Sequence, residues 1–158
     1  MENFKTLFFV RSSLICLYLA LTIPIPFISN EELKIISILA FIVGLLLIIN
    51  ITNDQVVTCE NGISYKTNFI SRILGKKGWK ISWGEIISIK SFPTSQGSKV
   101  HYFCTNKNEN FLLPQRLDNY EEFLLIISKK TGLSVDGISY ISPLWTYKFL
   151  TLLAVLMF

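Results

Sequence analysis

The sequence predicts an α+β chain with membrane helices, in which an N-terminal transmembrane helical hairpin precedes a partly open β-barrel capped by one C-terminal amphipathic helix. Three observations predict this. Two uncharged apolar runs stand near the N-terminus, short β-prone pieces follow them, and a helical stripe with start and stop signals closes the series. The 158 residues leave room for one ordinary domain and little more. Apolar residues make up 51% and charged residues 16%, against about 25% charged in soluble domains. The missing charge is concentrated in the two runs.

Residues 12–30 and 35–53 each contain nineteen residues without a charge. As helices each measures about 28 Å, close to the ~30 Å hydrocarbon core of a bilayer. The second is apolar around its whole circumference, which suits lipid on all sides. In the first, Pro24 and Pro26 are expected to end the span near the far interface, and the apolar stretch reaches back to Leu7, with Arg11 snorkelling to the headgroups. A cleaved signal peptide is the rival reading, but no small-x-small cleavage site precedes Glu31. The short connection Glu31-Glu32-Leu33-Lys34 makes the pair an antiparallel hairpin. Residues 54–142 carry eleven Lys/Arg and the N-terminal flank carries Lys5 and Arg11, whereas the hairpin loop carries only Lys34. The positive-inside rule therefore assigns the N-terminus and the domain to the cytoplasmic side.

Beyond Asn53 the hydrophobic period shortens to two. Residues 55–60 and 63–67 read as strands joined by a turn at Asn61-Gly62. Further strands are expected over 79–83, 85–92, 99–105 and 110–113, with Gly84, residues 93–97 and residues 106–109 as turns. Asp118-Asn119-Tyr120-Glu121 predicts a capping box at the start of a helix whose apolar stripe is Leu117, Tyr120, Leu124 and Ile127. Lys129 and Lys130 suit its C-terminal end, and Gly132 stops it. The division is 1–53 for the hairpin, 54–140 for the domain and 141–158 for a C-terminal hydrophobic segment. In that segment Ser142-Pro143 signals a helix start, and Trp145, Tyr147 and Lys148 suit an interface. After Lys148 ten residues remain, too few to cross a bilayer. Partial re-entry, packing on the hairpin and the stump of a third span all fit.

The candidate chemistry is sparse. Cys16, Cys59 and Cys104 are odd in number and widely spaced, no CxxC occurs, and His101 is the single histidine. No metal site, no disulfide framework and no cofactor is predicted. Within 99–105, strand alternation turns His101 and Cys104 to opposite faces, against a cysteine/histidine nucleophile pair. Glu121 and Glu122 are helix neighbours pointing apart, and no phosphate-cradling glycine motif is present. An enzyme is not expected. A net charge of +4 does not call for nucleic acid. Between Asn61 and Gly84, however, Lys66, Arg72, Lys76, Lys77 and Lys80 occur without an acid, interleaved with Phe69, Ile70, Ile73 and Leu74. Such a loop can dock on anionic lipid or on a partner; its bland counterpart is a solvated loop obeying the positive-inside rule.

Asn61-Gly62-Ile63-Ser64-Tyr65, the run Ile81-Ser82-Trp83-Gly84-Glu85-Ile86-Ile87-Ser88-Ile89, Leu113-Pro114 and Asn119-Tyr120-Glu121-Glu122-Phe123 carry a resemblance. Residues 55–133 resemble the bacterial pleckstrin-homology-like (PH-like) domains of membrane proteins, including the YcxB-like group. The resemblance implies about seven strands with one C-terminal helix, a multi-pass protein of the bacterial inner membrane, and a binding or assembly role without catalysis. Trp83 and Ile86 match that group's signature and read as packing residues. The expected function is a membrane-anchored, non-catalytic scaffolding or regulatory module with membrane lipid, or another membrane protein, as partner. Homo-oligomerisation is left open. The alternative is an immunity or stress-resistance factor against membrane-active peptides.

Overall fold

The computed structural model describes residues 1–95 and 97–156. Gln96 of an expected turn and residues 157 and 158 of the C-terminal segment lie outside the described residues. The chain is mixed α+β, with two apolar helices at the N-terminus and two antiparallel sheets.

The chain begins with a strand, β1 (Glu2–Lys5). Helices α1 (Phe8–Thr22), α2 (Pro24–Ile28) and α3 (Glu31–Ile51) follow. The prolines interrupt the first helix at Ile23 without stopping it. Pro24 occupies the first turn of α2, where its missing amide costs nothing, and the path stays helical to Ile28. The segments Phe8–Ile28 and Glu31–Ile51 are both long and apolar enough to cross a membrane. The acidic residues expected in the connecting loop form the first turn of α3 instead, where Glu31 and Glu32 face the positive end of the helix dipole. The two helices lock through Tyr18, whose hydroxyl donates to the Phe41 carbonyl at 2.8 Å and whose ring stacks on Phe41. Gly44 makes room for that tyrosine, since a β-carbon there would lie 2.2 Å from its hydroxyl oxygen.

The helices are inserted between two neighbouring strands. β2 (Gln55–Cys59) pairs antiparallel with β1, with Phe4 opposite Val56 and Lys5 opposite Gln55. β3 (Gly62–Lys66) and β4 (Trp79–Ser82) complete a sheet of order β1-β2-β3-β4. The tight turn between β2 and β3 is Glu60-Asn61, one residue earlier than expected, because Cys59 pairs with Gly62. Gly62 serves close approach: a β-carbon there would lie 2.3 Å from the Ile81 carbonyl oxygen of β4.

The turn expected at Gly84 is a 3-10 turn over Trp83–Glu85 that takes in the expected ends of both flanking strands, closed by a capping box in which the Ser82 amide donates to Glu85 at 3.0 Å. That turn leads the chain out of the first sheet. The second sheet, of order β5-β6-β7, contains β5 (Ile86–Pro93), β6 (Lys99–Thr105) and β7 (Asn110–Leu112), with a bulge between Ile86 and Ser88. Among the described residues no ladder joins the sheets. The strands thus form two sheets separated at the Trp83 corner and no closed barrel.

Helix α5 (Tyr120–Thr131) covers the core. Phe4 of β1, Val56, Ile63 and Ile81 of the first sheet, Phe103 of the second and Tyr120, Phe123 and Ile127 of α5 share one buried cluster. The expected capping box at Asp118 does not form. Asn119 adopts a left-handed conformation at the helix start, and Asp118 Oδ1 accepts from the Phe8 amide at 3.2 Å, serving the start of α1 instead. Gly132, left-handed at φ 71°, ends α5 as expected, its amide donating to the Ser128 carbonyl. The final helix α6 (Leu144–Leu156) packs along α1. The Ser13 hydroxyl bonds to the Thr151 hydroxyl at 2.7 Å and to the Tyr147 carbonyl at 3.0 Å, and the Lys148 ammonium lies 5.3 Å from the Phe9 ring centroid. Packing on the hairpin, one of the arrangements the sequence allows for this segment, is therefore present.

Candidate functional site

The β3–β4 connection, residues 67–78, carries most of the sequence-predicted cations and is fastened to the foot of α3. The free carbonyls at a helix C-terminus need donors. Asn68 supplies one, its side-chain amide donating to the Asn50 carbonyl at 2.8 Å and to the Asn53 carbonyl at 3.2 Å. Three residues past α3, the buried Asp54 carboxylate gathers the Tyr65 hydroxyl at 2.8 Å, the fully buried Ser71 hydroxyl at 3.2 Å and the Lys76 ammonium at 2.9 Å. Burial, and next the bond and charge of Asp54, push the Tyr65 hydroxyl well above the usual tyrosine range, so it stays a donor. A buried carboxylate is tolerated only when paired and hydrogen-bonded, and both conditions hold here.

This clamp decides which side chains the connection presents. The short helix α4 (Phe69–Ile73) turns Ser71 inward and leaves Phe69, Ile73 and the following Leu74 exposed at 77%, 68% and 62%. Arg72 and Lys77 are exposed beside them in sequence. Gly75, with φ 86°, reverses the chain so that Lys76 can reach Asp54. Lys66 and Lys80 lie on β3 and β4, on the strand face opposite Tyr65 and Ile81, and both are exposed. The five cations thus occupy three settings: Arg72 and Lys77 on an apolar loop, Lys76 in an ion pair, and Lys66 and Lys80 on the outer face of a sheet.

Sequence reasoning missed the Asp54 network. The available signal was a lone acid directly after a long apolar run, ahead of a segment with cations and no other acid.

His101 is buried on β6, its Nδ1 2.8 Å from the Ser91 hydroxyl of the neighbouring strand. Burial first, then the positive charge of Lys99, holds its pKa below the ordinary 6.5. A histidine that protonates less readily when folded stabilises the fold fully above the unfolded pKa. That contribution is lost as pH falls from about 6.5 towards the lower folded-state value, because the unfolded chain then binds more protons. Urea unfolding of the full chain should show stability dropping between about pH 7.5 and 5.5. The drop should be smaller in His101→Gln; an equal slope in that variant would refute the assignment. Among the described residues no group of three or more His, Cys, Asp or Glu side chains is placed to hold a metal ion.

No family profile matches the chain, and no solved structure matches it. It is similar to a protein of Synechocystis sp. (strain ATCC 27184 / PCC 6803 / Kazusa) described as "Uncharacterized protein slr0269", with 28% identity over 155 residues that cover 94% of this chain and 77% of the relative.

Proposed function

We propose that this chain is a non-catalytic, membrane-anchored module of PH-like type. In this reading it has a scaffolding or regulatory role at the cytoplasmic face of the bacterial inner membrane, where its domain contacts anionic lipid. The supporting observation is α4: a short helix fastened to the end of α3, with Phe69, Ile73 and Leu74 exposed beside Arg72 and Lys77. An exposed apolar cluster of this kind is unfavourable in water and favourable at a headgroup boundary. Cations near an anionic leaflet add ~1 kcal/mol each.

Three further features support the reading. No residue of α3 is buried within the protein, as suits a helix surrounded by lipid. The excess of Lys/Arg on the domain side favours a cytoplasmic orientation. Because the hairpin enters from β1 and returns into β2, both its ends are held by one ladder, so the domain would sit on the membrane as a fixed platform.

The test places a photoreactive diazirine analogue of phenylalanine at position 69 of the full chain, in nanodiscs with or without phosphatidylglycerol. Phospholipid adducts should form at position 69 and increase with phosphatidylglycerol. In the Arg72→Gln, Lys77→Gln double variant they should fall roughly fivefold per cation, the ratio that ~1 kcal/mol gives. If position 69 gives no lipid adduct while the same analogue at Leu46 of α3 does, the reading fails.

A further inference from the structure

A cavity of about 830 Å³ lies where the hairpin meets the domain. One wall is Val10 and Leu14 of α1 with Ile51 at the end of α3; the other is Trp79, Phe111 and Leu113 of the domain. Its size falls in the range of about 300–1,000 Å³ that small-ligand sites occupy. The charges lining it are uneven. Asp54 is the one acid and is already answered by Lys76, whereas Lys77 and Arg116, both exposed, enter no ion pair among the described residues. Leu14 borders the cavity at 44% exposure, and farther along α1 Leu17 and Leu21 are exposed as well, so an apolar path leads from the hairpin to this space.

We infer that the cavity takes an acyl chain of an anionic phospholipid from the adjoining leaflet, with the lipid phosphate held by Lys77 and Arg116. The inference rests on the reading of the chain as a bilayer-anchored module. An acyl chain moving from bilayer to apolar cavity gains little, because both surroundings are hydrocarbon. Selection therefore falls to the headgroup. A phosphate gains charge-assisted hydrogen bonds from an arginine and a lysine. The cationic amine of a zwitterionic headgroup finds no free carboxylate among the lining residues, since Lys76 occupies the only one. Net-anionic lipid is favoured on that ground.

The test uses the full chain in nanodiscs doped with phosphatidylglycerol, or in parallel phosphatidylcholine, bearing a diazirine at the end of one acyl chain. After irradiation, trypsin cutting at Lys107 and Arg116 releases residues 108–116, which include the domain-side wall at Phe111 and Leu113. The phosphatidylglycerol probe should label this peptide at least fivefold more than the phosphatidylcholine probe. Arg116→Gln changes only an exposed side chain and should reduce the preference severalfold, read on the longer peptide 108–129. An unlabelled peptide, equal labelling by both probes, or a preference unchanged in the variant each overturns the inference. Adducts at position 69 that persist alongside any of these leave the membrane-docking reading standing, whereas loss of both removes the two together.

Discussion

Replacing Phe123 by alanine is expected to cost about 3–5 kcal/mol of folding stability, a large share of the roughly 5–15 kcal/mol that a domain possesses. Phe123 is fully buried, its ring 5.3 Å from that of Phe4 and 6.0 Å from that of Tyr120. The cost depends on whether neighbours can collapse into the space, and here they cannot do so cheaply. Phe4 is fixed by the ladder to Val56, and Tyr120 is held in the first turn of α5 with its ring 4.9 Å from Tyr140. The cavity would persist, and a persistent cavity adds to the lost transfer energy. Leu125 is the internal control, on the same helix but 67% exposed. Leu125→Ala should change stability by no more than about 0.5 kcal/mol. Urea unfolding of the detergent-solubilised full chain, followed by tryptophan fluorescence, measures both. Equal losses in the two variants would mean that α5 does not cover the core as described.

The stripe of α5 was legible because it is local. Leu117, Tyr120, Leu124 and Ile127 recur at helical spacing and all are buried, and Gly132 needs only its own left-handed φ to act as a stop. The two apolar runs were legible for the same reason. Features that depend on distant partners were not. β1 is four residues, Glu-Asn-Phe-Lys, of which only Phe4 is buried, and nothing within them marks a strand until β2, some fifty residues later, offers its edge. Asp118 has the spacing of a capping residue, but the amide it serves is that of Phe8, brought there by the same pairing. At the Trp83 corner the break at Gly84 was legible but its form was not: Ser82 and Glu85 have capping-box spacing, yet Trp83 and Glu85 read as the ends of the flanking strands. In the candidate site the cations could be enumerated from sequence. Their division could not, because the partner that withdraws Lys76 lies twenty-two residues away across a strand pair.

A fragment that begins at Asp54 is expected to fail as an independent domain, giving aggregated or uncooperatively unfolding material. It lacks Phe4, a member of the buried cluster, and it exposes the edge of β2 that β1 normally covers. It also loses the tie between the start of the chain and the approach to α5. There the Leu7 amide donates to the Arg116 carbonyl at 2.8 Å, the Asp118 amide donates to the Lys5 carbonyl at 2.9 Å, and Thr6 bridges Leu117. These losses act on one side of one core and therefore compound. The remedy follows from the register. Lys5 lies opposite Gln55 on an adjacent antiparallel strand, where paired residues are only about 5 Å apart, so a glycine/serine linker of about six residues should replace the three helices between residues 7 and 54. With both chains ended at Ile141, so that α6 is not left without its partner α1, the linked chain should run as a monomer on gel filtration and melt in a single transition, while the Asp54 fragment should do neither. A cooperative melt of the fragment at the same midpoint as the linked chain would show that β1 is dispensable. It would also undo the fixed platform, because a hairpin held to the sheet only through β2 would be free to swing.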